Sequence, residues 1–264
     1  MTRTPTAKTA FGVVLMSVLL AFLLTGFVSI FLGPDTDQKL LVYISIFIGQ
    51  GFMAVPLAIY LHKNNISLVK ALRLNPVSPI ILVGTVLIAL GTVLISEEFD
   101  RLIEFFIADP ESFEQIEQFL QIESFSSGVI LFLGIAIFAP IGEELLFRGY
   151  LLQALENYWQ DVTRAILVTA LAFAIIHLNP YWVVQAYLMG VVLGYLSWRT
   201  DSVLPAIVCH GVYNALALLI TNLYPAGEAF YRWGSHVSPF WLLLAAGAII
   251  AGFYLLNFRR EVSA

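Results

Sequence analysis

Eight stretches of this chain are apolar over roughly the length a helix needs to cross a bilayer, about 20 residues. They lie near 11–32, 40–61, 79–96, 127–150, 163–178, 181–198, 203–222 and 239–258. The third, fifth and sixth are short or interrupted, and reading 163–198 as one unit would give seven. The expectation is an all-α, polytopic membrane protein of about eight transmembrane helices. Charged residues make up only 12% of the chain and hydrophobic ones 59%, whereas a soluble domain carries roughly 25% charged residues. Residues 1–264 therefore read as a single integral membrane domain with no room for a sizeable soluble one. No basic patch of the kind nucleic-acid binding requires is present. The single cysteine, Cys209, excludes an internal disulfide framework and suits a small apolar filler.

Arg3 and Lys8 precede the first apolar run, as in a signal sequence, but 11–32 is 22 residues long. That exceeds the usual 7–15 of a signal core, so it reads as an uncleaved first span. With the N-terminus inside, Arg3, Lys8, Lys63, Lys70, Arg73, Arg164, Arg199, Arg259 and Arg260 face the cytoplasm, and Lys39, Arg101 and Arg232 face outward. Positive charge gathers on the cytoplasmic side of membrane proteins, so both termini are expected there. Residues 97–126 then form one long outer segment. It is rich in Asp and Glu, with Phe99, Leu102, Ile103 and Phe106 at helical spacing. Asp109 and Pro110 give a second helix start, followed by Ile116, Phe119 and Leu120. Two amphipathic helices lying on the outer face are expected, with the acids serving chiefly to solvate it and gating as the competing role.

Ionisable side chains inside spans cost about 2.5–3.5 kcal/mol each at the bilayer centre and mark function by default. The fourth run contains Glu143-Glu144-Leu145-Leu146-Phe147-Arg148, the fifth ends Phe173-Ala174-Ile175-Ile176-His177, and the seventh contains His210-Gly211-Val212-Tyr213-Asn214. Glu144 and Arg148, four apart, share a helix face in the order that favours an ion pair. Glu143 points about 100° away from Glu144, toward other helices. Two adjacent carboxylates repel, and burial disfavours both as anions; a carboxylate poised this way suits general-base work on water. A turn near Gln160 lies 17 residues from both Glu143 and His177. An antiparallel hairpin would therefore set the two at one depth, about 25 Å from the turn. His210 lies ten residues beyond Thr200, or about 15 Å, with Asn214 one turn further on the same face. Asn179-Pro180 follows His177 closely, so the fifth span is expected to end in an irregular link, tolerated where it lines a polar cavity.

These three groups, Glu-Glu-x-x-x-Arg, Phe-x-x-x-His and His-x-x-x-Asn, on successive membrane helices resemble the CPBP family of intramembrane proteases. That family includes CAAX prenyl endopeptidases and bacterial bacteriocin-processing or immunity (Abi) proteins. The resemblance covers roughly 127–222 as a catalytic core. It implies a glutamic-type endopeptidase in which Glu143 activates water, His177 helps hold it, and His210 with Asn214 stabilises the oxyanion. Glu144, Arg148 and Phe173 match the supporting positions. It also implies a membrane-associated protein or lipidated peptide as substrate, at the cytoplasmic side of a bacterial plasma membrane, and no cofactor. Three other readings compete. His177, His210 and Glu143 could form a three-ligand zinc site, although His-Glu-x-x-His is absent. A non-catalytic immunity or scaffold protein is the second. A proton-coupled transporter is the third, without the two related halves such proteins show.

Overall fold

The computed structural model describes residues 5–33, 35–106, 118–223 and 228–262. Among them the regular elements are helices, apart from one short antiparallel pairing of Arg232–Trp233 with His236–Val237. In chain order the main helices are α1 (Ala7–Leu32), α2 (Gln38–Met53), α3 (Val55–Lys63), α4 (Pro79–Phe106), α5 (Phe125–Trp159), α6 (Val162–Ile175), α7 (Pro180–Thr200), α8 (Leu204–Leu223) and α9 (Pro239–Val262). Their starts are written in the sequence. Thr6, Asp37 and Asp161 each accept a hydrogen bond from the backbone three residues on, and Ser124 with Ser127 forms a reciprocal capping box. Pro56 near the start of α3 removes a backbone donor and breaks α2–α3 into two segments of one span.

Among the described residues, six helical stretches are long and apolar enough to cross a membrane: Ala7–Leu32, Gln38–Lys63, Pro79–Ile103, Phe125–Trp159, Leu204–Leu223 and Pro239–Asn257. The chain is an all-α polytopic membrane protein. Against the expected eight spans, the two others differ. α6 is apolar but has 14 residues, about 21 Å at the helical rise, short of the ~30 Å hydrocarbon core. α7, with 21 residues, carries Gln185 and Tyr187 in its interior. Outward-facing side chains of α1 (Leu15, Leu23, Phe27, Ile30, Phe31) and α9 (Phe240, Leu243, Ile250) are strongly exposed. Apolar surface of that extent fits a lipid environment.

The outer segment departs from expectation. α4 runs unbroken through Ser96 to Phe106, so the first proposed surface helix is the end of the third span. No glycine or proline interrupts 92–106, and nothing else in that stretch stops the helix. Its acids do more than meet solvent. Glu98 accepts from the Val237 amide and pairs with His236 Nδ1, both at 2.8 Å, Glu97 accepts from the Tyr231 hydroxyl, and Asp100 accepts from Gln185. Of the second proposed surface helix, from Asp109 through Ile116 to Leu120, residues 109–117 lie outside the described residues and residues 118–120 are helical.

Two features hold the frame around the later helices. At the ends of α5 and α7, buried Arg73 pairs with Glu156 and with Asp201, and the Val203 amide donates to the Arg73 carbonyl at 2.9 Å. This ties the 72–75 strand of backbone to both helices. Elsewhere α4 and α9 meet backbone to backbone. A Cβ added at Gly91 would collide with the Ala245 carbonyl oxygen, and one at Gly252 would lie 2.5 Å from the Gly84 carbonyl oxygen. Such close approach needs small residues. Gly91→Ala is expected to lower the thermal unfolding midpoint of the detergent-solubilised protein, at a cost of about 1–3 kcal/mol for overpacking. Gly247→Ala, where a Cβ meets open space, should leave the midpoint unchanged or raise it through the better helix propensity of alanine, by about 0.5–1 kcal/mol. Equal midpoints for the two variants would remove the contact as a structural element.

Candidate active site

α5 is not a uniform α-helix. It is π-helical over Phe132–Phe138 and again over Leu145–Leu151, and the two glutamates sit on the α-helical stretch between them, Ala139–Glu144. π turns are rare and concentrate at functional sites. In the first of them the Ile135 carbonyl accepts from Asn214 Nδ2 at 3.0 Å. The same face lets α8 come close, since a Cβ on Gly211 would lie 2.7 Å from the Ala136 carbonyl oxygen.

The expected ion pair is present and fully buried. Arg148 Nη1 donates to Glu144 Oε1 at 2.9 Å, with both side chains at 0% exposure. Its Nη2 donates to the Gly190 carbonyl of α7 at 3.2 Å, and its guanidinium lies 4.2 Å from the centre of the Phe173 ring. Arg148 thus joins α5, α6 and α7, a geometry in which a planar guanidinium outperforms a lysine.

His210 joins the two glutamates. Its Nδ1 lies 2.8 Å from Glu144 Oε1, and its Nε2 lies 3.9 Å from Glu143 Oε2. A ring nitrogen facing a carboxylate at 2.8 Å carries its proton, so Nδ1–H donates to Glu144, and Nε2 faces Glu143. The sequence reading gave Glu144 a single partner in Arg148. The structure gives it two, both on Oε1, with Oε2 buried and unbonded among the described residues. Glu143 is held from the other side, where Gln50 Nε2 on α2 donates to Glu143 Oε1 at 3.1 Å. Glu143, Glu144 and His210 are all buried.

Phe173 is the packing hub. Its ring centre is 4.8 Å from that of His177, 5.8 Å from that of His210 and 5.5 Å from that of Phe147. α6 ends at Ile175, and the expected irregular link occupies 176–179, with Leu178 in the left-handed region at φ 53°. His177 sits in this link, half-buried, with Nδ1 donating to the Phe173 carbonyl at 2.8 Å. That bond fixes the neutral tautomer in which Nε2 is the acceptor. The helix reversal falls at Gln160, which adopts φ 55°, where the depth argument put it.

Glu143, Glu144, Arg148, Phe173, His177 and His210 are thereby joined through direct contacts, and Asn214 is brought to the π segment just before the glutamates. Among the described residues no group of three His, Cys, Asp or Glu side chains is arranged to hold a metal ion. Gln50 is the neighbour of Glu143 that the motifs do not include. Its signal was available, for it is the one amide in the apolar run 40–61.

Residues 125–216 match the family described as type II CAAX prenyl endopeptidase, Rce1-like. The chain is 30% identical over 99 residues to the UPF0177 protein YbdI of Lactococcus lactis subsp. lactis (strain IL1403), covering 37% of this chain and 52% of that protein. It is 31% identical over 103 residues to the UPF0177 protein in abiGi 5'region of Lactococcus lactis subsp. cremoris, covering 39% and 43%. The chain thus spans about half the length of the curated relatives it matches. No solved structure matches it. The residues similar to the Rce1-like family include the paired glutamates Glu143 and Glu144 as well as His177 and His210.

Proposed function

We propose that this protein is an intramembrane endopeptidase that hydrolyses a peptide bond with water activated by Glu143. The observation that carries this reading is the placement of Glu143 Oε2 opposite His210 Nε2 at 3.9 Å, a gap too wide for a direct hydrogen bond. A water beside them would donate to Glu143 Oε2 and meet His210 Nε2. Glu143 takes the proton of the attacking water. His177, whose Nε2 is an acceptor, holds that water in line. With a second proton, His210 donates through Nε2 to the oxygen of the tetrahedral intermediate. The cluster of two carboxylates, one guanidinium and one imidazolium is then neutral, which suits a low-dielectric site. Asn214 assists with the amide hydrogen not engaged by Ile135. The proton held by Glu143 passes to the leaving amine. Glu144, Arg148 and Phe173 support the array.

In this reading residues 127–222 form the catalytic core of one membrane domain, and both termini face the cytoplasm of a bacterial plasma membrane. The substrate is a membrane-associated or CAAX-like protein met from the cytoplasmic side, and no cofactor takes part. A second reading draws on Asn214 and His210 Nδ1, both engaged in bonds between helices. In that reading the cluster locks the packing of a non-catalytic immunity or scaffold protein.

Cleavage of a candidate tail-anchored or prenylated peptide in membranes, mapped by mass spectrometry, separates the two. Glu143→Gln should abolish cleavage while leaving the folded yield intact, and wild-type cleavage should persist in a strong chelator. Loss of activity in the chelator would instead favour the zinc arrangement. Cleavage that survives Glu143→Gln, or a cellular phenotype intact in both Glu143→Ala and His177→Ala, would sink the glutamate mechanism.

A further inference from the structure

Gln50 lies on α2, far in sequence from the segment that carries the motifs, and three observations converge on it. Its amide donates to Glu143 Oε1 at 3.1 Å. The nitrogen must face the carboxylate, because the amide oxygen in that place would repel it. Its backbone is pressed against α5: a Cβ on Gly142 would lie 3.0 Å from the Gln50 carbonyl oxygen, so glycine at 142 is what lets α2 bring this side chain to the neighbouring glutamate. The element is anchored on the same side, with Phe47 edge-on to Phe138 at 5.4 Å and Ile46 filling the space beside Gly134.

The third observation is a cavity of about 680 Å³ between α1 and α2, whose walls include Thr25, Ser29, Ser45, Gly49 and Gln50. Gln50 is the lining residue that also touches Glu143. Its Oε1 is buried without a hydrogen-bond partner among the described residues. The terminal torsion of a glutamate is broad, so the plane of a carboxylate with no partner is free to turn. A donor on one oxygen fixes that plane and leaves the other oxygen toward His210.

We propose that Gln50 is the positioning residue for Glu143, fixing its carboxylate plane so that one oxygen faces His210 and separating Glu143 from the α1–α2 cavity. The proposal rests on the reading of Glu143 as the base. A merely structural Gln50 would stitch α2 to α5 and affect stability; a positioning Gln50 affects turnover.

The test uses the full chain in detergent or membranes. Gln50→Met keeps the length and removes the donor, and should lower kcat about tenfold or more, as misplacement of a reacting group does, with KM unchanged and kcat still low at temperatures where the variant is fully folded. Gln50→Ala should open Glu143 to the cavity and raise its modification by a hydrophobic carbodiimide several-fold, read by mass spectrometry with no substrate present. Unchanged kcat in Gln50→Met, a rise in KM alone, a kcat loss that tracks a lowered midpoint, or unchanged carbodiimide labelling would each overturn it. Glu143→Gln in the same assay keeps the two ideas apart. If it retains activity the base assignment fails, and if it is dead while Gln50→Met is normal only the positioning role fails. A wild-type protein that cleaves nothing leaves the labelling result to decide.

Discussion

Arg148→Met is expected to destabilise the protein by about 3–5 kcal/mol, the cost of leaving a buried charge without its partner. Glu144 has no exposure and depends on two donors to one oxygen, Arg148 Nη1 and His210 Nδ1. Removing the guanidinium withdraws the positive charge and leaves one neutral or charged ring to hold the carboxylate. It also empties the space over Phe173 and frees the Gly190 carbonyl, so α7 loses a link to α5. A marked fall in the detergent unfolding midpoint and in folded yield should follow. Adding Glu144→Gln to Arg148→Met should recover a large part of the loss, since replacing both members of a buried pair by neutral groups is often close to neutral. A stable Arg148→Met variant, or a double variant no better than the single one, would mean that the pair carries little of the packing.

His210→Phe should lower kcat by about 10²–10³, the range found for losing one oxyanion donor, with a smaller effect on KM. The ring volume is roughly kept, so the contact with Phe173 survives while both nitrogens are lost. Stability should fall less than in Arg148→Met, because Glu144 keeps its guanidinium. The comparison with Asn214→Leu is informative. Asn214 donates to the Ile135 carbonyl and, in the proposed mechanism, to the oxyanion as well, so its loss should reduce both turnover and stability. If His210→Phe turns over at the wild-type rate, the imidazole is only a strut between α5 and α8.

Much of this arrangement is legible in the sequence because the bilayer imposes it. Helices must be long and apolar, and ionisable groups within them stand out. The i,i+4 spacing of Glu144 and Arg148 fixes their pairing, and a reversal at Gln160 sets Glu143 and His177, equally far from it in sequence, side by side. What is not legible is set by contacts between distant segments. Gln50 reaches Glu143 across 93 positions, and His210 turns Nδ1 to Glu144 rather than Glu143 across 66. Nothing in periodicity or spacing chooses between the two carboxylates. The outer end of α4 is illegible for a related reason. An acidic amphipathic stretch looks like a surface helix until its partners, here the 231–237 segment, are known.

The two π stretches of α5 bear on how related sequences should be aligned. A π turn absorbs an added residue without breaking the helix. A protein one residue shorter within 132–138 could therefore still form a continuous helix there, and still carry a Glu-Glu-x-x-x-Arg string. Its glutamates would keep their aim, because an α turn in place of a π turn gives about the same rotation with one residue fewer. A gap placed in this stretch is thus neutral for the site, whereas a gap in the α-helical stretch Ala139–Glu144 rotates the glutamates by about 100° relative to the preceding helix. Single-residue deletion at Leu133 should therefore leave Glu143 facing Gln50 and His210, while deletion at Ile141, which also keeps every motif residue, should turn it away.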